Sequence, residues 1–184
     1  MMMYNSANSF LKHAVLVLLL AATGMKTTYA QADHRNEVRL FRLDGSFSTE
    51  LAVKISSEGR SDVGFTLRSA RLEADSMGVL TRLRSVLTIA NSDAKRRITE
   101  VEWRLDVYDE ALRSLSQRVL QTDKVNIYAG ETAVASAKFG AVLPNRMVVL
   151  LQLIRVSFVD GSAWSPTEQC LLGEDLRTVS CKSK

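Results

Sequence analysis

Two glutamates and two tryptophans have the types and spacing that could support chemistry on a sugar. Glu100 and Glu102 would project from the same face of a strand, about 7 Å apart, a separation compatible with glycoside hydrolysis by paired carboxylates. Trp103 and Trp164 could stack on a sugar ring. Alternating charge, however, usually marks the solvated face of a strand, and a tryptophan inside such a strand usually packs in the core. We therefore predict Trp103 in the core, leave Trp164 open between packing and contact, and keep glycan hydrolysis as an alternative only.

The sequence lacks the residue sets of the common catalytic and cofactor sites. Its two histidines, His13 and His34, both lie near the N-terminus, a poor place from which to complete a Ser-His-acid or Cys-His arrangement. No His-Glu-x-x-His run occurs, and neither Gly-x-x-x-x-Gly-Lys nor Gly-x-Gly-x-x-Gly is present. We therefore expect a protein that is not an enzyme and that holds no metal and no cofactor.

The first 32 residues have the three-part order of a secretory signal peptide. Lys12 precedes an apolar core over residues 14–22, and a more polar segment then ends in the small residues Ala30 and Ala32. The apolar core is much shorter than the roughly 20 residues that cross a membrane as a helix. We predict cleavage after Ala32, with Ala30 as the rival position, no stable membrane anchor after cleavage, and a periplasmic or secreted protein.

Cys170 and Cys181 are the two cysteines of the chain. Export would bring them into a compartment that permits disulfides, and two cysteines allow a single intramolecular pairing. Neither Cys-x-x-Cys spacing nor a nearby histidine supports the alternatives, a redox pair or a set of metal ligands. We predict a disulfide that closes a loop in the C-terminal tail.

The charge balance argues against nucleic acid as a partner. Removal of the signal peptide leaves 22 basic and 20 acidic residues, and charges of both signs are scattered along the chain. The longest basic run, Lys95-Arg96-Arg97, is interpreted as a solvated turn.

From Phe65 onward, alternating apolar and polar residues predict strands that are buried on one face. Turn residues separate these runs, at residues 91–94 and at Asp160-Gly161, a strong hairpin signal that is followed by Trp164. The apolar positions of four predicted strands are Val79, Leu83, Leu87 and Ile89; Val101, Trp103, Leu105 and Val107; Ala133, Ala135, Ala137 and Phe139; and Ile154, Val156 and Phe158. Together they predict an antiparallel sandwich with a turn every ten residues or so.

A helix over residues 97–119 is the alternative to a strand there. A three-and-four spacing joins seven of its apolar positions: Ile98, Val101, Leu105, Tyr108, Leu112, Leu115 and Val119. Thr99, Trp103 and Val107 are residue types that favour strands, and Trp103 would lie off the helical stripe. We favour the strand, since the helix would change the fold class to α+β.

The chain is divided into four segments by these features. They are the signal peptide, 1–32; an N-terminal segment with early strands, 33–63; the sandwich, 64–165; and a C-terminal tail with the cysteine loop, 166–184. Within the N-terminal segment, the turn Asp44-Gly45-Ser46 between residues 38–43 and 51–55 is compatible with a hairpin.

Four short motifs resemble those of the FxLYD-type immunoglobulin-like domains of bacterial exported proteins. The motifs are Leu-Thr-Ile-Ala-Asn-Ser at 87–92, Ile-Thr-Glu-Val at 98–101, Leu-Asp-Val-Tyr-Asp at 105–109 and Ala-Gly-Glu-Thr at 129–132. The similarity covers roughly residues 65–160 and departs after Tyr108-Asp109, where Glu110 to Arg113 replace the usual Asp-Gly. The resemblance implies an all-β, antiparallel immunoglobulin-like sandwich of about seven strands and brings no catalytic residues.

The leading functional hypothesis is a non-catalytic module that binds an unidentified protein or envelope component. Its candidate contact residues are Arg82, Arg84, Glu100, Glu102, Arg104 and Trp164. An envelope glycan hydrolase and a purely structural assembly subunit are the alternatives.

Overall fold

The computed structural model describes residues 38–52, 54–56, 64–77, 80–144 and 146–183. Within these ranges the chain forms twelve β-strands and no helix. The predicted signal peptide and both cleavage positions lie outside the described residues. None of the described segments is a helix of the length and hydropathy needed to cross a membrane.

The twelve strands are grouped into three sheets. Their bounds are β1 Val38–Asp44, β2 Phe47–Leu51, β3 Lys54–Ser56, β4 Phe65–Met77, β5 Leu80–Asn91, β6 Ile98–Asp109, β7 Ser114–Ile127, β8 Thr132–Ala141, β9 Arg146–Phe158, β10 Ala163–Trp164, β11 Glu168–Leu172 and β12 Thr178–Ser183. The large sheet has the order β2-β1-β9-β6-β7, with β10 also paired to β9. The three-stranded sheet is β4-β5-β8, and the C-terminal sheet is β11-β12-β3.

The large sheet and the three-stranded sheet pack face to face as a sandwich around the main hydrophobic core. Alternate residues of each strand point inward, so that Leu83 and Leu87 from β5 meet Trp103 from β6. Trp103 is fully buried, which confirms its predicted place in the core. Its indole N–H donates to Gln121 Oε1 at 2.7 Å and to Ser85 Oγ at 2.9 Å, so burial leaves this donor satisfied.

The order of the strands confirms the predicted immunoglobulin-like sandwich. The chain pairs β4 with β5, crosses to β6 and β7, returns to β8, and crosses again to β9 and β10. Seven of the nine strands in these two sheets have this arrangement, with β4-β5-β8 facing β7-β6-β9-β10. The β1–β2 hairpin extends the large sheet because β1 pairs with β9 beyond the point where β10 ends.

Residues 97–119 form parts of two strands, so the helical alternative is not realised. The strand β6 ends at Asp109, and β7 begins at Ser114. The Asp109 carboxylate accepts hydrogen bonds from the backbone N–H groups of Ala111 and Leu112, at 2.8 and 3.2 Å, and so shapes the turn. Arg113 closes it with φ +49°, a left-handed conformation that glycine usually supplies.

Two predicted hairpin turns are present. Gly45, with φ +57°, lies in the turn between β1 and β2, although β2 begins at Phe47, earlier than expected. The later residues Lys54–Ser56 instead form β3, which pairs in parallel with β12. Gly161, with φ +81°, lies in the turn between β9 and β10, which is closed by a 2.9 Å hydrogen bond from Phe158 N to Ser162 O.

The C-terminal sheet covers the outer face of the large sheet with a second, smaller core. Strand β9 is therefore buried on both faces, which explains its unbroken apolar run at residues 147–151. The predicted disulfide is present and joins Cys170 on β11 to Cys181 on β12. Both half-cystines pack in this second core, against side chains such as Leu40 and Leu150.

Candidate functional site

The outer face of the three-stranded sheet carries a charged surface that includes two of the predicted contact residues. Burial of Leu83 in the core turns Arg82 and Arg84 outward on the central strand β5. Two rows of opposed residues cross this sheet: Glu73, Arg84 and Lys138, and beside them Asp75, Arg82 and Gly140. We call these six residues the basic face. Together they line most of a depression of about 530 Å³.

The basic face has more positive than negative side chains. Arg84 Nη1 lies 3.4 Å from Glu73 Oε2, and both side chains are nearly half exposed. Arg82 and Lys138 form no ion pair or hydrogen bond with any residue that the structure describes. Gly140 leaves space beside Arg82, whose Cγ would lie 3.9 Å from a Cβ added there. Two cations are thus free to pair with acidic groups from outside the protein.

The other polar contact candidates lie on the opposite side of the sandwich. Glu100 and Glu102 are half-buried on the outer face of the large sheet, and Glu102 Oε1 lies 3.7 Å from Arg155 Nη1. Arg104 follows them on the same face of β6 but lies beneath the C-terminal sheet. Its Nη2 donates to Gln152 Oε1 at 3.0 Å and to the Cys170 carbonyl at 3.2 Å. The candidate residues therefore do not form one continuous surface.

Trp164 lies at the end of the sandwich, beside the loop between β5 and β6. Its ring contacts Phe65 edge to face, with the ring centroids 4.9 Å apart. Trp164 thus packs against the main core. One side of Trp164 remains part of a depression shared with Gly64 and the loop residues 92–96.

The predicted basic turn contains two arginines that pack on aromatic rings. Arg96 lies over Phe158, with its guanidinium carbon 4.0 Å from the ring centroid, and Arg97 lies 5.2 Å from the centroid of Tyr128. Lys95 is exposed, as expected for a solvated turn, whereas both arginines are half-buried. Asp93 accepts hydrogen bonds from the backbone of Lys95 and the side chain of Arg96, which lowers the pKa of its carboxyl.

A buried ion cluster under the C-terminal sheet was not predicted from the sequence. Asp106 is fully buried, with Oδ1 2.6 Å from Arg118 Nε and Oδ2 3.0 Å from Arg104 Nε. The two arginines come from neighbouring strands, since Asp106 on β6 is opposed to Arg118 on β7. Arg118 Nε donates a hydrogen bond to Asp106 Oδ1, whereas Asp106 Oδ2 and Arg104 Nε lie within ion-pair distance without a hydrogen bond. Arg104 therefore stabilises the buried carboxylate through its charge alone.

Tyr108 lies beside this cluster, and its titration gives a testable pH dependence. Burial raises the pKa of Tyr108 above its ordinary 10.0, and the negative charge of Asp106 adds to the rise. The stability linked to Tyr108 is therefore present below about pH 10 and is lost as the pH rises through the folded-state pKa. We expect Tyr108→Phe to reduce the alkaline fall in unfolding free energy, measured by urea unfolding between about pH 8 and 11.

Tyr128→Phe is the matched control for this pH dependence. Tyr128 is exposed, and hydrogen bonds with Asn126 and Arg97 lower its pKa. Its replacement should leave the alkaline fall in place, because a lowered pKa has the opposite linkage sign. If the unfolding free energy of the wild type and of Tyr108→Phe fell equally at alkaline pH, Tyr108 would not be the group responsible for the fall.

The described residues contain no group of three or more histidine, cysteine, aspartate or glutamate side chains placed to hold a metal ion. No protein-family model matches the chain, and no curated protein matches it. The resemblance to FxLYD-type domains therefore stays a prediction.

Proposed function

We propose that the mature chain is an exported, non-catalytic sandwich that binds an acidic surface of a protein or other component of the bacterial envelope. The basic face carries this proposal, because Arg82 and Lys138 are exposed there and form no ion pair with a described residue, although Asp75 is opposed to Arg82 on the neighbouring strand. They lie on the neighbouring strands β5 and β8, which hold both cations on one sheet surface. Such a fixed arrangement favours the choice and orientation of a complementary partner more than raw affinity.

Export is supported by the sequence of the first 32 residues. Their short apolar core and the small residues at Ala30 and Ala32 have the pattern of a cleavable signal peptide. The disulfide between Cys170 and Cys181 is compatible with a compartment outside the cytoplasm.

The surroundings of Glu102 argue against a catalytic role in glycan hydrolysis. Glu102 is paired with Arg155 on the outer face of the large sheet, an arrangement typical of a structural surface pair. Trp103, the tryptophan between Glu102 and Arg104, points into the core and is fully buried. It therefore presents no ring to a sugar beside these glutamates.

The first test is charge reversal on the basic face. We expect Arg84→Glu to weaken binding of the partner at least tenfold, since a repulsive charge would enter the centre of the contact. The unfolding free energy should fall by less than about 1 kcal/mol, because Arg84 and Glu73 form an exposed pair. The partner is first identified by cross-linking and affinity capture from envelope fractions, and binding of the purified partner is then measured with each variant.

Arg155→Glu is the matched control, since it also replaces the arginine of an exposed cross-strand pair with glutamate but lies on the opposite side of the sandwich. We expect it to leave binding within twofold of the wild type. Binding that survives Arg84→Glu would show that the basic face is only solvated surface. Capture of nothing except further copies of this chain would favour the structural assembly role instead.

A further inference from the structure

A second cleft lies on the other side of the molecule, where the C-terminal sheet meets the large sheet. It has a volume of about 450 Å³ and is bounded by the turn before β7 and the turn between β11 and β12. The buried side chains of Leu40, Val148 and Leu176 line it. These residues give the cleft an apolar floor within the size range of small-molecule sites. We call it the arginine cleft.

Three arginines and two acids surround this apolar floor. Arg42 forms an ion pair with Glu110, and the Asp175 carboxylate accepts hydrogen bonds from Arg177 N, Thr178 N and Thr178 Oγ1 at 2.9 to 3.0 Å. These hydrogen bonds lower the pKa of Asp175. Its carboxylate is therefore already paired with donors of its own turn. Both acids are thus occupied by groups of the protein itself.

The remaining two arginines of the cleft are available to a ligand. Among the described residues, the guanidinium groups of Arg113 and Arg177 form no hydrogen bond and no ion pair, and both residues are exposed. A guanidinium presents its N–H groups in a planar fork that matches a carboxylate. The cleft therefore combines an apolar floor with cations free to bind an anionic head group.

The backbone holds two residues of this cleft in the left-handed conformation. Arg113 and Leu176 are the non-glycine residues with positive φ in the described part of the chain, at +49° and +54°, and both line the arginine cleft. A side chain in this conformation costs roughly 1 kcal/mol relative to glycine. Leu176 is buried in the second core, which offsets its cost, whereas Arg113 is exposed. The positive φ of Arg113 belongs to the turn that Asp109 shapes, and this turn places the exposed Arg113 at the edge of the cleft.

We infer that the arginine cleft binds a small amphiphilic carboxylate, with Arg113 and Arg177 on the carboxylate and the apolar body on Leu40, Val148 and Leu176. This site is separate from the basic face, because the two lie on opposite outer faces of the sandwich. Failure of one proposal leaves the other intact.

The test titrates the folded, disulfide-bonded protein with octanoate, octan-1-ol and acetate while recording two-dimensional NMR spectra. We expect saturable shifts with octanoate at the cleft residues, and binding at least tenfold weaker for the uncharged alcohol and for acetate, which has no apolar body. Equal binding of octan-1-ol and octanoate, or no saturable shifts at the cleft, would overturn the inference.

Variants separate ligand binding from stability. Arg113→Gly should weaken octanoate binding at least fivefold and leave the unfolding temperature unchanged or raised, because glycine relieves the positive φ. Arg177→Gln should weaken binding similarly, whereas Arg68→Gln, which removes one exposed charge on β4 outside the cleft, should not. Affinities within twofold of the wild type for both cleft variants would refute the site.

Discussion

Asp106→Ala is expected to lower the unfolding free energy by about 3–5 kcal/mol, since one partner is removed from a buried ion cluster. The Asp106 carboxylate is fully buried, and it is the anion that contacts both Arg104 and Arg118. Arg118 is partly exposed and can turn toward water, but the Arg104 side chain is only 12% exposed. The substitution would therefore remove the carboxylate that lies 3.0 Å from Arg104 Nε beneath the C-terminal sheet. Urea unfolding of the purified variant measures the effect.

Two further variants decide whether the loss comes from an uncompensated charge. Glu102→Gln removes a carboxylate from the same strand and face, but its pair with Arg155 is partly exposed, and we expect a loss below about 1 kcal/mol. Replacing the whole cluster, with Arg104→Met, Asp106→Leu and Arg118→Met, should recover most of the stability, because no charge is then buried alone. A similar loss for Asp106→Ala and Glu102→Gln would contradict this account.

The burial of Asp106 could not be inferred from the alternation in β6. Glu100, Glu102, Arg104 and Asp106 occupy equivalent polar positions in the sequence, yet the first two are half-buried and Asp106 is fully buried. Alternation indicates which side chains share a face. What covers that face depends on a distant segment, since Arg104 contacts Cys170, 66 residues later in the chain. The sequence does contain an indication that the large sheet is covered on both faces. The unbroken apolar run at residues 147–151 is typical of a strand that is buried on both faces.

The sandwich itself was predictable because its signals are local. Period-two alternation located the strands around Leu83, Trp103 and Ala135, and turn residues marked the ends of β5 and β9 at residues 91–94 and 160–161. Long-range pairing has no such local signal. The parallel pairing of β3 with β12 and the insertion of β1 beside β9 join distant segments, and the sequence pattern of neither partner specifies the other.

The separation of the contact candidates has a similar cause. Arg84 and Glu102 both point outward, as their alternation with core residues indicates. The chain, however, crosses between the two sheets after Asn91, so the outward faces of β5 and β6 lie on opposite sides of the sandwich. Asn91 supports this crossing, since its Nδ2 donates to the carbonyls of Arg96 and Ile127 at 2.7 and 3.0 Å. Strand periodicity indicates which side chains point into the core and which point outward. It does not indicate to which of the two sheets a strand belongs.

Replacing both cysteines, as Cys170→Ser with Cys181→Ser, is expected to lower the unfolding free energy by about 3 kcal/mol. The disulfide spans a sequence separation of 11 residues, for which the chain-entropy model gives a value near this figure. It joins directly opposed residues of β11 and β12 and lies in the second core. We therefore expect the loss to be concentrated in the C-terminal sheet, which depends on this hairpin.

Hydrogen exchange combined with urea unfolding tests where the disulfide acts. In the double variant, amides of β11 and β12 should exchange faster than in the wild type, and protection at Trp103 in the main core should change much less. Leu176 lies between the two cysteines, so the floor of the arginine cleft should also loosen and octanoate binding should weaken. A reducing agent should reproduce these effects in the wild type and change nothing in the variant. Unchanged stability and uniform exchange would mean that packing alone holds the C-terminal sheet in place.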